Sequence, residues 1–87
     1  AVVLEHMGDE MRLASDRGTR SLTFRFPQMP YLGLWHTVKT EAPFLCVEPW
    51  VTLPSREGIV EDFACRSDLI RLPADEAYCN TWSISLT

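Results

Sequence analysis

In the stretch Arg20-Ser21-Leu22-Thr23-Phe24-Arg25-Phe26 every second residue is apolar: Leu22, Phe24 and Phe26 share one parity, and Ser21, Thr23 and Arg25 the other. A period of two belongs to a β-strand with one face buried and one face wet, because successive side chains leave the backbone on opposite sides. The last residues repeat the pattern. Tyr78, Trp82, Ile84 and Leu86 stand on even positions, and Ala77, Cys79, Thr81, Ser83 and Ser85 on odd ones. Prolines and glycines interrupt each candidate for a helix of three turns, so strands must carry the fold.

The remaining elements follow from turn chemistry. Val2-Val3-Leu4 and Met11-Arg12-Leu13 read as strands separated by Met7-Gly8-Asp9, and Ser15-Asp16-Arg17-Gly18-Thr19 supplies a hairpin turn before the Leu22 strand. Residues 1–26 are therefore expected to form a β-meander. Pro27-Gln28-Met29-Pro30 turns a corner, since neither proline donates a ladder hydrogen bond. Tyr31-Leu32-Gly33-Leu34-Trp35-His36 and Phe44-Leu45-Cys46-Val47 are apolar on both parities and predict central strands covered on both faces. Thr52 to Ser67 reads as a loop in which Ile59, Val60 and Phe63 are spaced for one helical turn. Asp68 to Leu72 predicts a short strand, and Pro73-Ala74-Asp75-Glu76 a tight turn into the final strand. Seven short strands without long helices predict an all-β, antiparallel β-sandwich, or a slice of one that something else covers.

Composition narrows the function classes. Among 87 residues, 12 Asp+Glu outweigh 8 Lys+Arg and no two basic residues are adjacent, so nothing here grips a phosphate backbone or an anionic membrane. No apolar run reaches the roughly 18 residues of a membrane span. Cys46, Cys65 and Cys79 are odd in number and widely spaced, which fits reduced thiols and a cytoplasmic setting better than a disulfide framework. Without a C-x-x-C pair or a nearby histidine pair, no metal site is expected. A nucleophile elbow and a glycine-rich phosphate cradle are both missing, which removes the hydrolase and nucleotide readings.

Glu48 stands out among the residues that could carry chemistry. It shares parity with Phe44, Cys46 and Trp50, follows an apolar strand, and precedes Pro49, which is expected to end regular pairing. A carboxylate delivered among aromatic groups is poorly hydrated and accepts protons more effectively near neutral pH. The same spacing also suits an ion pair between Glu48 and an arginine at the sheet rim. His36 and His6 are candidate acid partners, or simply hydrogen-bonded rim residues. Trp35, Trp50 and Trp82 suit either core positions or a sugar-stacking platform, with Trp50 best placed for the latter. The acidic positions Asp9, Glu10, Glu57, Glu61, Asp62, Asp75 and Glu76 lie in turns and loops and read as solvated charges.

At Pro30-Tyr31-Leu32-Gly33-Leu34-Trp35 and Pro43-Phe44-Leu45-Cys46-Val47-Glu48-Pro49-Trp50 the chain resembles the carboxy-terminal part of the aldose 1-epimerase (galactose mutarotase) family, in its bacterial lactose-operon-type branch. The likeness continues through Glu57-Gly58-Ile59 and Leu72-Pro73-Ala74-Asp75-Glu76 to the Trp82-Ser83-Ile84 strand, covering about Tyr31 to Leu86. The resemblance implies that residues 1–87 are the C-terminal segment of a larger supersandwich that binds a free sugar of galactose or glucose type without a cofactor. It implies Glu48 as the general base that takes the proton of the sugar's C1 hydroxyl, and the position of Trp50 just past Glu48 makes it the candidate substrate-binding residue. The family's acid histidine and its sugar-binding arginine and aspartate belong to preceding segments, so none is assigned to His6, His36 or Arg25. The implied chain is inactive alone and needs an N-terminal part or a second chain. A noncatalytic carbohydrate-binding module is the alternative, and a segment that completes a sheet or a homo-oligomer is a third.

Overall fold

The computed structural model describes residues 2–6 and 8–87. Six strands appear among them: β1 Val2–Glu5, β2 Glu10–Ala14, β3 Ser21–Arg25, β4 Tyr31–Trp35, β5 Cys46–Trp50 and β6 Ser83–Leu86. The fold is all-β, with two three-stranded antiparallel sheets in the orders β1-β4-β5 and β2-β3-β6. This is the layer arrangement of a small β-sandwich.

The alternation at Leu22 and Phe24 sets the second sheet. Met11 pairs with Phe24 and Leu13 with Leu22 across the β2–β3 hairpin, while Ile84 and Leu86 face the same two residues from β6. Beyond the strand ends the ladder continues. The Ser21 and Thr87 backbones exchange two hydrogen bonds of 2.8 and 2.9 Å, and the Phe26 amide donates to the Asp9 carbonyl at 2.8 Å. In the first sheet, Leu4 faces Leu32, and Val2 and Val47 both face Leu34. The apolar faces meet around Phe26, Leu32 and Phe24, with Leu4, Met11, Leu22, Met29, Leu34 and Val47 packed at the periphery. Phe26 is 1% exposed and Leu32 wholly buried.

Several expectations are corrected. Residues 1–26 are not a meander, because β1 leaves β2 and pairs with β4 in the other sheet. Val2 and Leu4 there join the apolar row formed by Leu34 and Leu32. Of the expected Met7-Gly8-Asp9 turn, Met7 lies outside the described residues; His6 and Gly8 both have positive φ, at 59° and 80°, which redirects the chain between sheets. The strand expected over Phe44 to Val47 runs instead from Cys46 to Trp50, with Pro49 inside it. That is compatible with pairing because β5 is an edge strand, not a central one, with a ladder on one side only, the place in a sheet where a proline is tolerated.

The strand expected over Asp68 to Leu72 does not form. Arg71 Nη2 instead donates to the Ala64 and Arg66 carbonyls, which curls the segment back on itself. The expected helical turn is a single 3₁₀ turn, Phe63–Cys65, capped by Asp62 Oδ1 accepting from the Ala64 amide at 2.9 Å. The tight turn at Pro73–Glu76 is present, closed by the Glu76 amide on the Pro73 carbonyl at 3.2 Å with Asp75 at φ 64°. The regular strand after it starts only at Ser83.

Candidate functional site

Parity decides which side chains leave the outer face of the β1-β4-β5 sheet. Leu32, Leu34, Val47 and Pro49 turn inward, so Tyr31, Gly33 and Trp35 of β4 and Cys46, Glu48 and Trp50 of β5 share the opposite face. The register sets Gly33 directly against Glu48, Tyr31 against Trp50 and Trp35 against Cys46. Val3 and Glu5 of β1 extend the Gly33 and Tyr31 rows. The parity shared by Glu48, Cys46 and Trp50 holds, but Glu48 is not at a strand end. It is the middle residue of β5, half-buried between Cys46 and Trp50.

An ion pair with a rim arginine is not what Glu48 makes. The ion pairs among the described residues join Arg25 to Glu10 at 3.0 Å, Arg66 to Glu61 at 3.5 Å and to Asp68 at 2.5 Å, and His6 to Glu5 at 4.0 Å when that histidine is protonated. Glu48 is in none of them. It faces Gly33 across the ladder, a neighbour without a side chain that could hydrogen-bond it.

Neither histidine shares the Glu48 row. His36 follows the end of β4, three residues or about 10 Å along the strand from Gly33, and its Nδ1 lies 2.8 Å from the Thr37 carbonyl. His6 is exposed at the far end of β1. The structure therefore brings Glu48 and Trp50 together, and brings neither His6 nor His36 beside them.

The tryptophans divide. Trp50 lies across Gly33 and continues into a depression with Leu53, Phe63 and Arg66. Trp35 is partly exposed and packs on Phe44, ring centroids 6.0 Å apart at 45°. Trp82 is on neither row. It borders the gap between the sheets with Phe24, Val47 and Ile84.

Sequence reading missed Gly33 and Tyr31 as members of this face. The available signal was glycine within an otherwise apolar strand, which marks a place where something approaches the backbone closely.

The thiols of Cys46, Cys65 and Cys79 are all unpaired, and among the described residues no three His, Cys, Asp or Glu side chains converge on one point. No described helix is long and apolar enough to cross a membrane.

The face presents a carboxylate and an indole two positions apart on one strand. Glu48 lines none of the five best-formed depressions among the described residues, one of which begins at Trp50, two positions further along β5. Comparisons with protein-family models, with curated proteins and with solved structures find nothing that matches this chain.

Proposed function

We propose that the Glu48 face belongs to an aldose 1-epimerase-like isomerase that interconverts the α and β anomers of a free aldose, with Glu48 as general base and Trp50 beside the sugar. The observation that supports this reading most is a half-buried glutamate without an ion-pair partner among the described residues, on one face with an indole and opposite a glycine. A general base needs a carboxylate within reach of the substrate hydroxyl, and one not tied up in an ion pair is available for that contact.

In the reaction Glu48 takes the C1 hydroxyl proton as an acid donates one to the ring oxygen. The C1–O5 bond breaks, the aldehyde rotates, and closure on the other face returns both protons to their original groups. No cofactor is required. The acid is assigned to a wall contributed by an upstream segment or a second chain, in keeping with the resemblance to mutarotases. Val3 and Trp35, exposed apolar side chains on the same face as Glu48, support a covering partner of that kind. A cytoplasmic setting accords with the three unpaired thiols.

The test is polarimetry of fresh α-galactose and α-glucose with the intact native polypeptide. Glu48→Gln should lower the catalysed rate by roughly 10²-fold or more, the usual contribution of general-base catalysis. Retention of the wild-type rate removes Glu48 from the reaction. The second reading, a noncatalytic carbohydrate-binding module, is favoured by one feature, the absence of a described histidine in the Glu48 row. Sugar binding without anomer exchange in the intact protein selects it.

A further inference from the structure

We propose that Gly33 is a positioning residue of this face: it leaves open the slot in which the Trp50 indole sits, and so sets the aromatic surface next to Glu48. The inference rests on the reading of the face as a sugar site.

Glycine is a poor choice for the interior of a strand, where it adds backbone entropy to the unfolded chain and contributes no side chain to packing. Gly33 is nevertheless buried in the middle of β4. Conformation does not require it, since only Gly8 and Gly58 among the glycines have positive φ. Space does. A Cβ built on Gly33 would lie 2.8 Å from Trp50 Cζ2, 3.1 Å from Cη2 and 3.2 Å from Cε2, whereas one on Gly8, Gly18 or Gly58 would meet nothing within 4 Å.

The three close atoms belong to one rigid six-membered ring, so a methyl group there is relieved only by moving the whole indole or the strand. The register explains why this matters for Glu48. Gly33 is the cross-strand partner of Glu48, and Trp50 sits two residues further along the same edge. The indole therefore leans back from its own row over Gly33, into the row that Gly33 shares with Glu48. An aromatic surface that packs on C–H groups, with an adjacent carboxylate that accepts from hydroxyls, is the pair of contacts that recognises a pyranose. Without a glycine at 33 the two groups separate.

The experiment is a double-mutant cycle of Gly33→Ala and Trp50→Phe in the intact polypeptide. Emission of Trp50 is read in a Trp35→Phe, Trp82→Phe background, and sugar affinity for α-galactose and α-glucose by equilibrium dialysis. Gly33→Ala should shift Trp50 emission and weaken sugar binding by roughly tenfold or more, the range in which one misfit group alters recognition in a shaped site. In the Trp50→Phe background, whose smaller ring leaves the slot free, Gly33→Ala should change affinity little further.

Unchanged emission, or losses of affinity that simply add in the double mutant, overturns the inference. Should Gly33→Ala alone fail to fold, recovery of folding by Trp50→Phe supports the contact, and failure in both backgrounds overturns it. A wild-type protein that binds neither sugar overturns the sugar reading and this inference together. Wild-type binding that Gly33→Ala leaves at full affinity overturns the inference alone.

Discussion

The paired strands and the excursion between β5 and β6, residues 51–82, are ordered by different bonds. In the strands, backbone ladders do the work and alternating apolar side chains press the two sheets together around Phe24, Phe26 and Leu32. In the excursion, polar side chains stand in for a neighbouring strand. Arg66 Nη2 donates to the Leu53 carbonyl at 2.6 Å and its guanidinium clamps Asp68, while Arg71 holds the Ala64 and Arg66 carbonyls. The Gln28 amide donates to the Cys79 carbonyl and accepts from the Thr81 amide, both at 2.8 Å, which imitates one rung of a ladder. Two apolar residues of the excursion find no core: Val60 is fully exposed and Phe63 is 70% exposed. A chain without residue alternation is thus tied down by whichever guanidinium or amide reaches its carbonyls.

If that contrast is right, damage to the core and damage to the clamps should look different. Phe26→Ala removes the largest fully buried side chain and is expected to cost about 3–5 kcal/mol, enough to unfold so thin a core. Circular dichroism and denaturant titration should show both sheets lost together, and survival of either sheet would separate them energetically.

Gln28→Ala breaks the two bonds to residues 79 and 81, each with a net worth of about 1 kcal/mol, and should act locally. Hydrogen exchange should quicken at Thr81 while the Met11 and Phe24 amides keep their protection; equal loss at all three would show that the excursion and the sheets open as one unit.

The smallest effect expected is acid loosening of the Arg66 clamp. The hydrogen bond from Arg66 holds the Asp68 carboxyl below its usual range, and the same contact raises the arginine. A carboxylate with a depressed folded-state pKa contributes stability at neutral pH that is lost as pH falls through that folded value. Ordering of residues 53–68 should therefore persist through the range in which ordinary aspartates titrate and decline only as pH falls beneath it. Proton NMR of the Arg66 guanidinium tests this, and a change centred near neutrality would rule Asp68 out as the cause.

The sheets were more legible in the sequence than the site. Leu22, Phe24, Ile84 and Leu86 occupy the parities their spacing predicts, and the hairpin before β3 is where Asp16 and Gly18 indicate a turn. The common face of Cys46, Glu48 and Trp50 was equally readable, because it needs only the two-residue period. The ends of β5 were not, since a proline reads as a breaker until its strand is known to be an edge. Gly33 escaped because its role lies in the space claimed by a residue seventeen positions away. The bridge from Gln28 to the last extended segment escaped for a similar reason: a glutamine carries no local mark of the carbonyl it will reach.

Taken by itself, the sequence determined that this chain forms strands, where most of them turn, and which residues leave each strand on the same side. Those properties follow from backbone geometry within a few residues. Tertiary structure alone decided that β1 pairs with β4, that β5 is an edge, and that an indole fills the vacancy at Gly33. Pairing is a competition among distant edges with similar ladders, and it is settled by which arrangement buries Phe26 and Leu32 most completely.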